Sequence, residues 1–354
     1  MKFILVILAL ILVIATALPL LRVDQWWIRV FDFPRAQITI AGIALLGVYI
    51  YFWDAKRTYE TVVLGLLVMA VVYQVMKMVP YTPLMPKQVL AAKSPSDDSN
   101  LSLLIANVLM DNRESEAFLD IVTEYDPDVI LTVETDDWWE EALRKLEVDY
   151  PYTLKSPLGN AFGMLVHSRL EMINPEIRFI LEDSIPSMHM QVVLPSKDRV
   201  FMHFVHPDPP NPVYATKTTE RDAELLIVGR ESEKRDKPTI IAGDFNDVAW
   251  SYTTSLFQKA SGLLDPRIGR GTFSTFDAGN LLLRWPLDHV FHSDHFKLVR
   301  IERGPAWGSD HFPVFIELSL EIDAEAEQEE PDTNRAEEEQ VAEAIKEGRQ
   351  KTDE

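Results

Sequence analysis

Three long apolar stretches precede any polar domain in this chain, and they limit its fold more than any other feature. They cover residues 3–21, 36–53 and 61–79, and the first contains no charged residue. At a rise of about 1.5 Å per residue, each stretch approaches the ~30 Å thickness of a bilayer core. Tryptophan and tyrosine residues cluster at the ends of the stretches, as they do at membrane–water interfaces. The sequence therefore predicts a transmembrane region of three helices over residues 1–80.

The first apolar stretch also has features of a cleavable signal peptide. Lys2 precedes it, and Ala15-Thr16-Ala17 resembles a cleavage site. The stretch is longer than a usual signal core and two more follow, which favours an uncleaved anchor. The orientation stays open: Lys2 and the Lys56-Arg57 loop favour an inside N-terminus, whereas basic residues in the other flanks favour the reverse.

The remainder of the chain divides into a linker, a folded domain and a tail. Residues 81–99 are rich in proline, serine and lysine, which predicts a linker. Residues 100–320 alternate apolar strands with helical segments such as Thr219–Glu233, a pattern typical of an α/β domain. Residues 321–354 are rich in glutamate and poor in large apolar residues, so they are predicted to be a disordered tail or a solvated helix.

Charge and cysteine content exclude several classes of function. The formal net charge is -21, and residues 98–320 contain 36 acidic against 21 basic residues. Long nucleic acids are bound largely through lysine and arginine, so an acidic domain disfavours them as partners. The chain has no cysteine, which excludes disulfides, thiolate zinc sites and cysteine nucleophiles.

Polar side chains recur at the ends of the predicted strands. The apolar run Pro238–Ala242 stops at Gly243 and is followed at once by Asp244, Asn246 and Asp247. Such residues also favour ordinary tight turns. Other strands, however, end or begin beside Asn107, Glu134, His206, Asp288, Asp310 and His311. If these ends meet at one rim, their oxygens and imidazoles form a site for a hard divalent cation and a phosphate ester.

These motifs resemble those of the endonuclease/exonuclease/phosphatase superfamily. The matching pieces, in order, are Asn107, Pro127-Asp128-Val129-Ile130 running to Glu134, Gly163 to Arg169, His206, Gly243-Asp244-Phe245-Asn246, Asp288, and Ser309-Asp310-His311-Phe312-Pro313-Val314. With the apolar stretches, the chain is similar to bacterial membrane-anchored members. The resemblance implies a four-layer α/β/β/α sandwich of two mixed sheets, preceded by an N-terminal transmembrane helical region.

The resemblance also implies a metal site. Glu134 is similar to the main metal-binding carboxylate, and Asn107 assists it. Asp310 ligates metal or fixes the imidazole of its neighbour. The expected cofactor is Mg²⁺, with Mn²⁺ as an alternative.

A catalytic role is implied for five further residues. Asp244 orients or deprotonates the attacking water, and Asn246 holds the phosphate or Asp244 itself. His206 assists the leaving oxygen or the phosphate. His311 contacts the phosphoryl oxygens, and Asp288 orients a histidine.

The expected function is that of a membrane-anchored, metal-dependent phosphoesterase, with hydrolysis by metal-assisted attack of water on a small or lipid-linked phosphate ester. The alternative is a membrane-tethered nuclease that cleaves DNA or RNA phosphodiesters. A catalytically inactive scaffold on the same fold is a third hypothesis. By resemblance, the protein is expected in the bacterial inner membrane, with its catalytic domain outside the cytoplasm.

Overall fold

A computed structural model describes residues 1–93, 95–209, 217–235 and 237–352. Its N-terminal region holds three helices that are long and apolar enough to cross a membrane, Lys2–Leu21, Arg35–Phe52 and Thr58–Tyr81. Within these, the α-helices are α1 (Lys2–Ala17), α3 (Arg35–Phe52) and α4 (Thr58–Met78), and the short α2 (Trp26–Arg29) lies between the first two. Large apolar side chains on their outer surfaces, such as Ile11, Ile40 and Met69, are exposed.

The following domain contains eleven strands in the described residues. They are β1 (Asn100–Asn107), β2 (Val129–Val133), β3 (Tyr152–Ser156), β4 (Met164–Ser168), β5 (Met172–Arg178), β6 (Ser187–Val193), β7 (Arg199–Phe204), β8 (Thr239–Asp244), β9 (Asp288–His292), β10 (Phe296–Arg303) and β11 (Val314–Leu320). One sheet has the order β10-β11-β1-β2-β4-β3, and the other β5-β6-β7-β8-β9. Both sheets are mixed, because β1 pairs in parallel with β2 and β7 with β8, while their other neighbours are antiparallel.

The two sheets pack face to face and helices cover their outer faces. The buried core between the sheets is formed by alternate residues of the two inner faces, such as Leu103, Leu131, Met190 and Met202. Helices α5 (Ser115–Tyr125) and α6 (Asp137–Leu143) cover one outer face, and α7 (Thr219–Glu233) and α8 (Tyr252–Ser261) cover the other. The predicted four-layer α/β/β/α sandwich behind an apolar helical region is therefore confirmed.

The N-terminal region docks on this sandwich beside α7 and α8. Arg29 of α2 donates a hydrogen bond to Thr253 at 2.5 Å and pairs with Asp222 at 3.4 Å. The indole nitrogen of Trp250 donates to the carbonyl of Asp32 at 2.7 Å. The C-terminal end of α4 joins the same face, because the Tyr81 hydroxyl donates to the carbonyl of Ala249 at 2.8 Å.

The predicted linker, residues 81–99, and the predicted tail, residues 321–354, both contain residues that pack on the sandwich. In the linker, Val89 is fully buried, and Ala92 hydrogen-bonds to Leu298 at the outer edge of β10. In the acidic tail, the described residues form α9 (Ala324–Glu327) and α10 (Arg335–Thr352). In α10 the few apolar residues, Val341 among them, lie on the side that packs on the α7 and α8 layer, and most of its other residues are exposed.

Candidate active site

The ends of the central strands meet at one rim of the sandwich. Strands β1 and β2 run in parallel in one sheet, and β7 and β8 run in parallel in the other. Strands β9 and β11 are antiparallel to β8 and β1, so they begin at the rim where those strands end. This topology brings together Asn107, Glu134, His206, Asp244, Asp288, Asp310 and His311, seven of the eight predicted site residues. Asn246 follows on the loop after β8.

An amide joins the two sheets across this rim. The side-chain nitrogen of Asn107 donates to Glu134 Oε1 at 2.7 Å and to Asp244 Oδ2 at 3.1 Å. Its oxygen accepts a hydrogen bond from the backbone of Leu109 at 3.0 Å. In this orientation Asn107 positions the two carboxylates, and its predicted role as an oxygen ligand requires the amide to rotate.

Glu134 is a partly buried carboxylate directly after β2. Burial raises its pKa, although the nearby His206 and the Asn107 hydrogen bond oppose that rise. Its backbone adopts a positive φ of 60°. A carboxylate held in a low-dielectric site binds a cation more strongly, because the cation removes the cost of the buried charge.

A second group of side chains surrounds Asp244. His311 Nδ1 donates to Asp288 Oδ2 at 2.8 Å, and His311 Nε2 lies 3.7 Å from Asp244 Oδ2. Burial lowers the pKa of His311, but the carboxylates of Asp288 and Asp244 outweigh that effect and raise it to about 10. The imidazole is therefore a cation at neutral pH, with both nitrogens acting as donors.

This second group also has the spacing of a metal site. Asp244, Asp288 and His311 offer atoms within 4.8 Å of one another. The hydrogen bond between His311 Nδ1 and Asp288 Oδ2 holds two of them together, and among the described residues it leaves Asp288 Oδ1 and His311 Nε2 unoccupied. The predicted alternative that Asp310 fixes the imidazole is wrong, since Asp288 holds that position.

Carboxylate oxygens available to a divalent cation lie on Glu134, Asp244, Asp288 and Asp310. Asp310 Oδ1 is buried and has no hydrogen-bond partner among the described residues. Burial raises the pKa of its carboxyl. An unpaired buried carboxylate oxygen beside two other acidic groups fits a hard cation, which prefers oxygen ligands.

His206 stands on the other side of Asp244. Its Nε2 lies 3.9 Å from Asp244 Oδ2, and its Nδ1 is buried without a hydrogen-bond partner among the described residues. The two imidazoles of His206 and His311 thus flank the same carboxylate oxygen.

The turn after β8 is fixed by close backbone packing. Gly243 has a φ of 143°, and a Cβ atom there would lie 1.9 Å from the carbonyl oxygen of Val205. The backbone N–H of Asn246 donates to Asp244 Oδ1 at 2.9 Å, so the turn holds the carboxylate. The Asn246 side chain donates to the carbonyl of Pro207 at 2.9 Å and in this position steadies the loop after His206.

Three supporting residues were not predicted from the sequence. The Ser309 hydroxyl donates to the carbonyl of Asn107 and accepts from the backbone of His311. Thr275 Oγ1 accepts from the backbone of Asp288, and Arg221 donates to the carbonyl of Asn246. Ser309 directly precedes the Asp310-His311 pair, so that motif could have indicated it. No local sequence pattern marks Thr275 or Arg221.

Comparisons with known proteins identify the family and the fold. The model of the Endonuclease/Exonuclease/phosphatase family matches residues 104–311. The human nocturnin catalytic domain with a bound sulfate anion shares the fold, with 13% identity and a TM-score of 0.52 over 64% of this chain and 96% of that one. D. rerio TDP2 complexed with single strand DNA product has 17% identity and a TM-score of 0.51 over 63% and 100%.

A bacterial structure gives a similar result. The endonuclease/exonuclease/phosphatase from Bacteroides vulgatus has 15% identity and a TM-score of 0.51, covering 63% of this chain and all of its own. Among curated protein sequences, none matches the chain.

Proposed function

Because the chain belongs to the endonuclease/exonuclease/phosphatase family, whose members are metal-dependent phosphoesterases or nucleases, we propose that it is a membrane-anchored phosphoesterase. It hydrolyses a phosphate ester by attack of a water molecule at the rim of the sandwich. The observation that carries the proposal is the meeting of Asn107, His206 and His311 around Asp244, with separations from 3.1 to 3.9 Å.

The side chains divide the work of an in-line attack on phosphorus. Asp244, held by the turn at Asn246, orients the attacking water and accepts its proton. The His311 imidazolium, held by Asp288, donates to a phosphoryl oxygen, on which negative charge develops. His206 is suited to assist the leaving oxygen.

Glu134 and Asp310 are the residues that we propose hold the divalent ion. The ion supplies charge neutralisation on the non-bridging oxygens. The oxygen-rich donor set favours Mg²⁺, with Mn²⁺ as a substitute, because hard cations prefer carboxylate oxygens. Asn107 keeps the Glu134 and Asp244 carboxylates at a fixed separation.

The decisive experiment is an assay of the purified full chain on a panel of phosphate monoesters and diesters with Mg²⁺ and Mn²⁺. Glu134→Gln and His311→Ala should each lower kcat by at least about a hundredfold, as removal of a catalytic group does. Glu339→Gln is the matched control, since Glu339 is exposed on α10 and pairs with Arg335. Full activity of both site variants would refute the proposed site.

A nuclease is the second candidate, because the similar TDP2 structure contains a DNA product. The acidic surface of residues 98–320 disfavours it. Plasmid nicking at moderate salt that depends on Glu134 would favour the nuclease over the phosphoesterase.

We propose residues 1–80 as the membrane region, 81–99 as the linker, 100–320 as the catalytic domain and 321–354 as the tail. The membrane region fits a bacterial inner membrane with the catalytic domain outside the cytoplasm. Reporter enzymes fused after Glu354 test that orientation, since an extracytoplasmic reporter is active only if the C-terminus crosses the membrane.

A further inference from the structure

A short hairpin joins the candidate active site to the N-terminal helices. At its base, the Phe276 backbone N–H donates to the carbonyl of Trp285 at 3.0 Å, and that of Asp277 donates to Leu283 at 3.3 Å. The N–H of Ala278 donates to the carbonyl of Asp310 at 2.7 Å. The Phe276 ring also lies 5.0 Å from the ring of His311. The base of the hairpin is therefore attached directly to the catalytic pair.

The tip of the hairpin is apolar and exposed. Leu281 and Leu282 are 84% and 79% exposed, and Leu283 is also exposed. The backbone N–H groups of Leu282 and Leu283 are nevertheless satisfied. Asn280 Oδ1 accepts from the N–H groups of Leu282 and Leu283 at 2.9 and 3.0 Å. Such a tip suits an apolar environment, where an unpaired backbone group would be costly.

The tip lies at the level where a candidate membrane helix begins. The carbonyl of Leu282 accepts a hydrogen bond from the side chain of Gln37 at 2.7 Å, and Gln37 lies in the first turn of α3. Ile40, one turn further along α3, is 71% exposed. At the hairpin base, the ring of Trp285 packs edge-on against Phe33, with 5.7 Å between centroids. The exposed leucines thus continue the apolar surface of the N-terminal helices.

Two arginines lie between the hairpin and the rim. The Arg284 and Arg303 guanidinium carbons lie 4.9 and 4.2 Å from the ring centroid of Phe312, the residue after His311. Neither arginine forms an ion pair among the described residues, although the domain is strongly acidic. Together with Phe273, Ser274 and Glu302 they line an open groove, in which the Glu302 carboxylate is paired with Arg300 at 2.6 Å. Paired guanidinium groups without carboxylate partners are suited to bind a phosphate.

We propose that the tip Leu281–Leu283 inserts into the bilayer surface and that Arg284 and Arg303 bind the anionic phosphate of a membrane lipid headgroup beside the rim. The substrate is then a phosphate ester carried by a lipid, which reaches Asp244 and His311 from the membrane plane. Burial of the leucines supplies binding energy in proportion to their apolar area, and the anionic surface adds electrostatic attraction. This inference rests on the proposed phosphoesterase function and on the membrane anchor.

The absence of cysteine allows a direct test of insertion. A single cysteine is introduced by Leu282→Cys, or by Leu281→Cys as a second variant, and labelled with an environment-sensitive fluorophore in the full chain reconstituted into vesicles. A quencher attached to the lipid acyl chains should quench the label strongly. The control is Ile322→Cys, because Ile322 is fully exposed and follows the end of β11 opposite the rim. Equal quenching at the hairpin and at Ile322 would overturn the membrane contact.

A second experiment tests the substrate class. Hydrolysis of phosphatidic acid in vesicles is compared with hydrolysis of a water-soluble aryl phosphate. Arg284→Gln and the pair Leu281→Ser with Leu282→Ser should each reduce the rate on vesicles about tenfold more than the rate on the soluble ester. Arg335→Gln is the control, since Arg335 is exposed on α10, away from the groove, and pairs with Glu339.

The outcomes of this second experiment separate the two proposals. If wild type hydrolyses neither substrate, the proposed function fails, while the quenching result still decides the membrane contact. If the variants reduce both rates equally, the groove binds any phosphate and the lipid substrate is refuted.

Discussion

At the residue scale, the site depends on a few specific side chains and on one glycine. The Asp244 carboxylate is surrounded by the amide of Asn107 and two imidazoles. Gly243, just before it in β8, has no side chain, which lets the backbone pass close to Val205. The sequence motifs predicted which residues meet there, since each follows or precedes an apolar strand. They did not predict that Asn107 would donate to both carboxylates, because the direction of an amide depends on the neighbours on both sheets.

Gly243→Ala tests this close approach between β8 and Val205. The added Cβ would lie 1.9 Å from the Val205 oxygen, and φ at this position is 143°, so the backbone must move. We expect a loss of about 2 kcal/mol or more in the free energy of unfolding, a typical cost for such strain, and a fall in kcat. Gly159→Ala is the control, because nothing lies within 4 Å of its added Cβ. Thermal unfolding of the two variants measures the effect on stability, and equal melting temperatures would contradict the prediction.

Glu224, on α7, gives a pH-dependent prediction. Burial, with a smaller contribution from Glu182, raises its pKa to about 8, and its Oε1 has no hydrogen-bond partner among the described residues. Because the folded pKa lies above the unfolded value of about 4.3, stability falls as pH rises from about 4 to 8 and then levels off. The slope is at most about 1.4 kcal/mol per pH unit.

Glu224→Gln removes that titration and leaves the shape of the side chain nearly unchanged. The difference in unfolding free energy between variant and wild type should therefore grow in favour of the variant from pH 5 to 8. Denaturant unfolding at several pH values measures it. A difference that stays constant with pH would show that Glu224 is not protonated in the native state.

At the scale of elements, sequence patterns were most reliable where an element buries one continuous face. The helix Thr219–Glu233 was predicted with its observed limits. Strand β3 was missed, because its half-exposed residues Tyr152–Ser156 do not form a clear apolar run. Residues 321–354 were predicted to be a disordered tail or a solvated helix, since composition does not reveal that a few apolar residues of α10 pack on α7.

Gly348 explains how α10 approaches α7 closely. A Cβ atom at Gly348 would lie 2.3 Å from the Cβ of Ala223. Helix propensity alone favours alanine over glycine by about 1 kcal/mol. We expect Gly348→Ala to be destabilising instead, because the added Cβ meets Ala223. The variant should weaken the packing of α10 on α7 and increase the rate of proteolysis of α10. Ala223→Gly added to that variant should restore part of the protection, and a failure to do so would argue against this contact.

At the scale of the whole molecule, the N-terminal region and the active-site loop share one buried charge network. Arg29 pairs with Asp222, and Arg221 donates to Asp222, Asp247 and the carbonyl of Asn246. The sequence predicts the N-terminal region only as an anchor. This link was not predictable, because Arg29 and Asp222 are far apart in the chain and carry no shared motif.

Arg29→Gln tests whether this network supports catalysis. Removing one partner of a buried ion pair leaves uncompensated charge and costs about 3 kcal/mol. We expect a lower melting temperature of the full chain and a several-fold lower kcat with little change in KM. Arg57→Gln is the control, because Arg57 lies in the exposed loop between α3 and α4. Unchanged stability and kcat in Arg29→Gln would show that the two regions are independent.

The bridge formed by Asn107 across the two sheets has one more consequence. Half of the reaction centre belongs to each sheet, so a slight slip of one sheet over the other would separate Glu134 from Asp244 without melting a single strand. The turnover rate should therefore respond to small changes in inter-sheet packing that circular dichroism does not detect. Mild denaturant, or substitution of Met202 between the sheets by a smaller residue, is expected to abolish activity while the circular dichroism spectrum stays native.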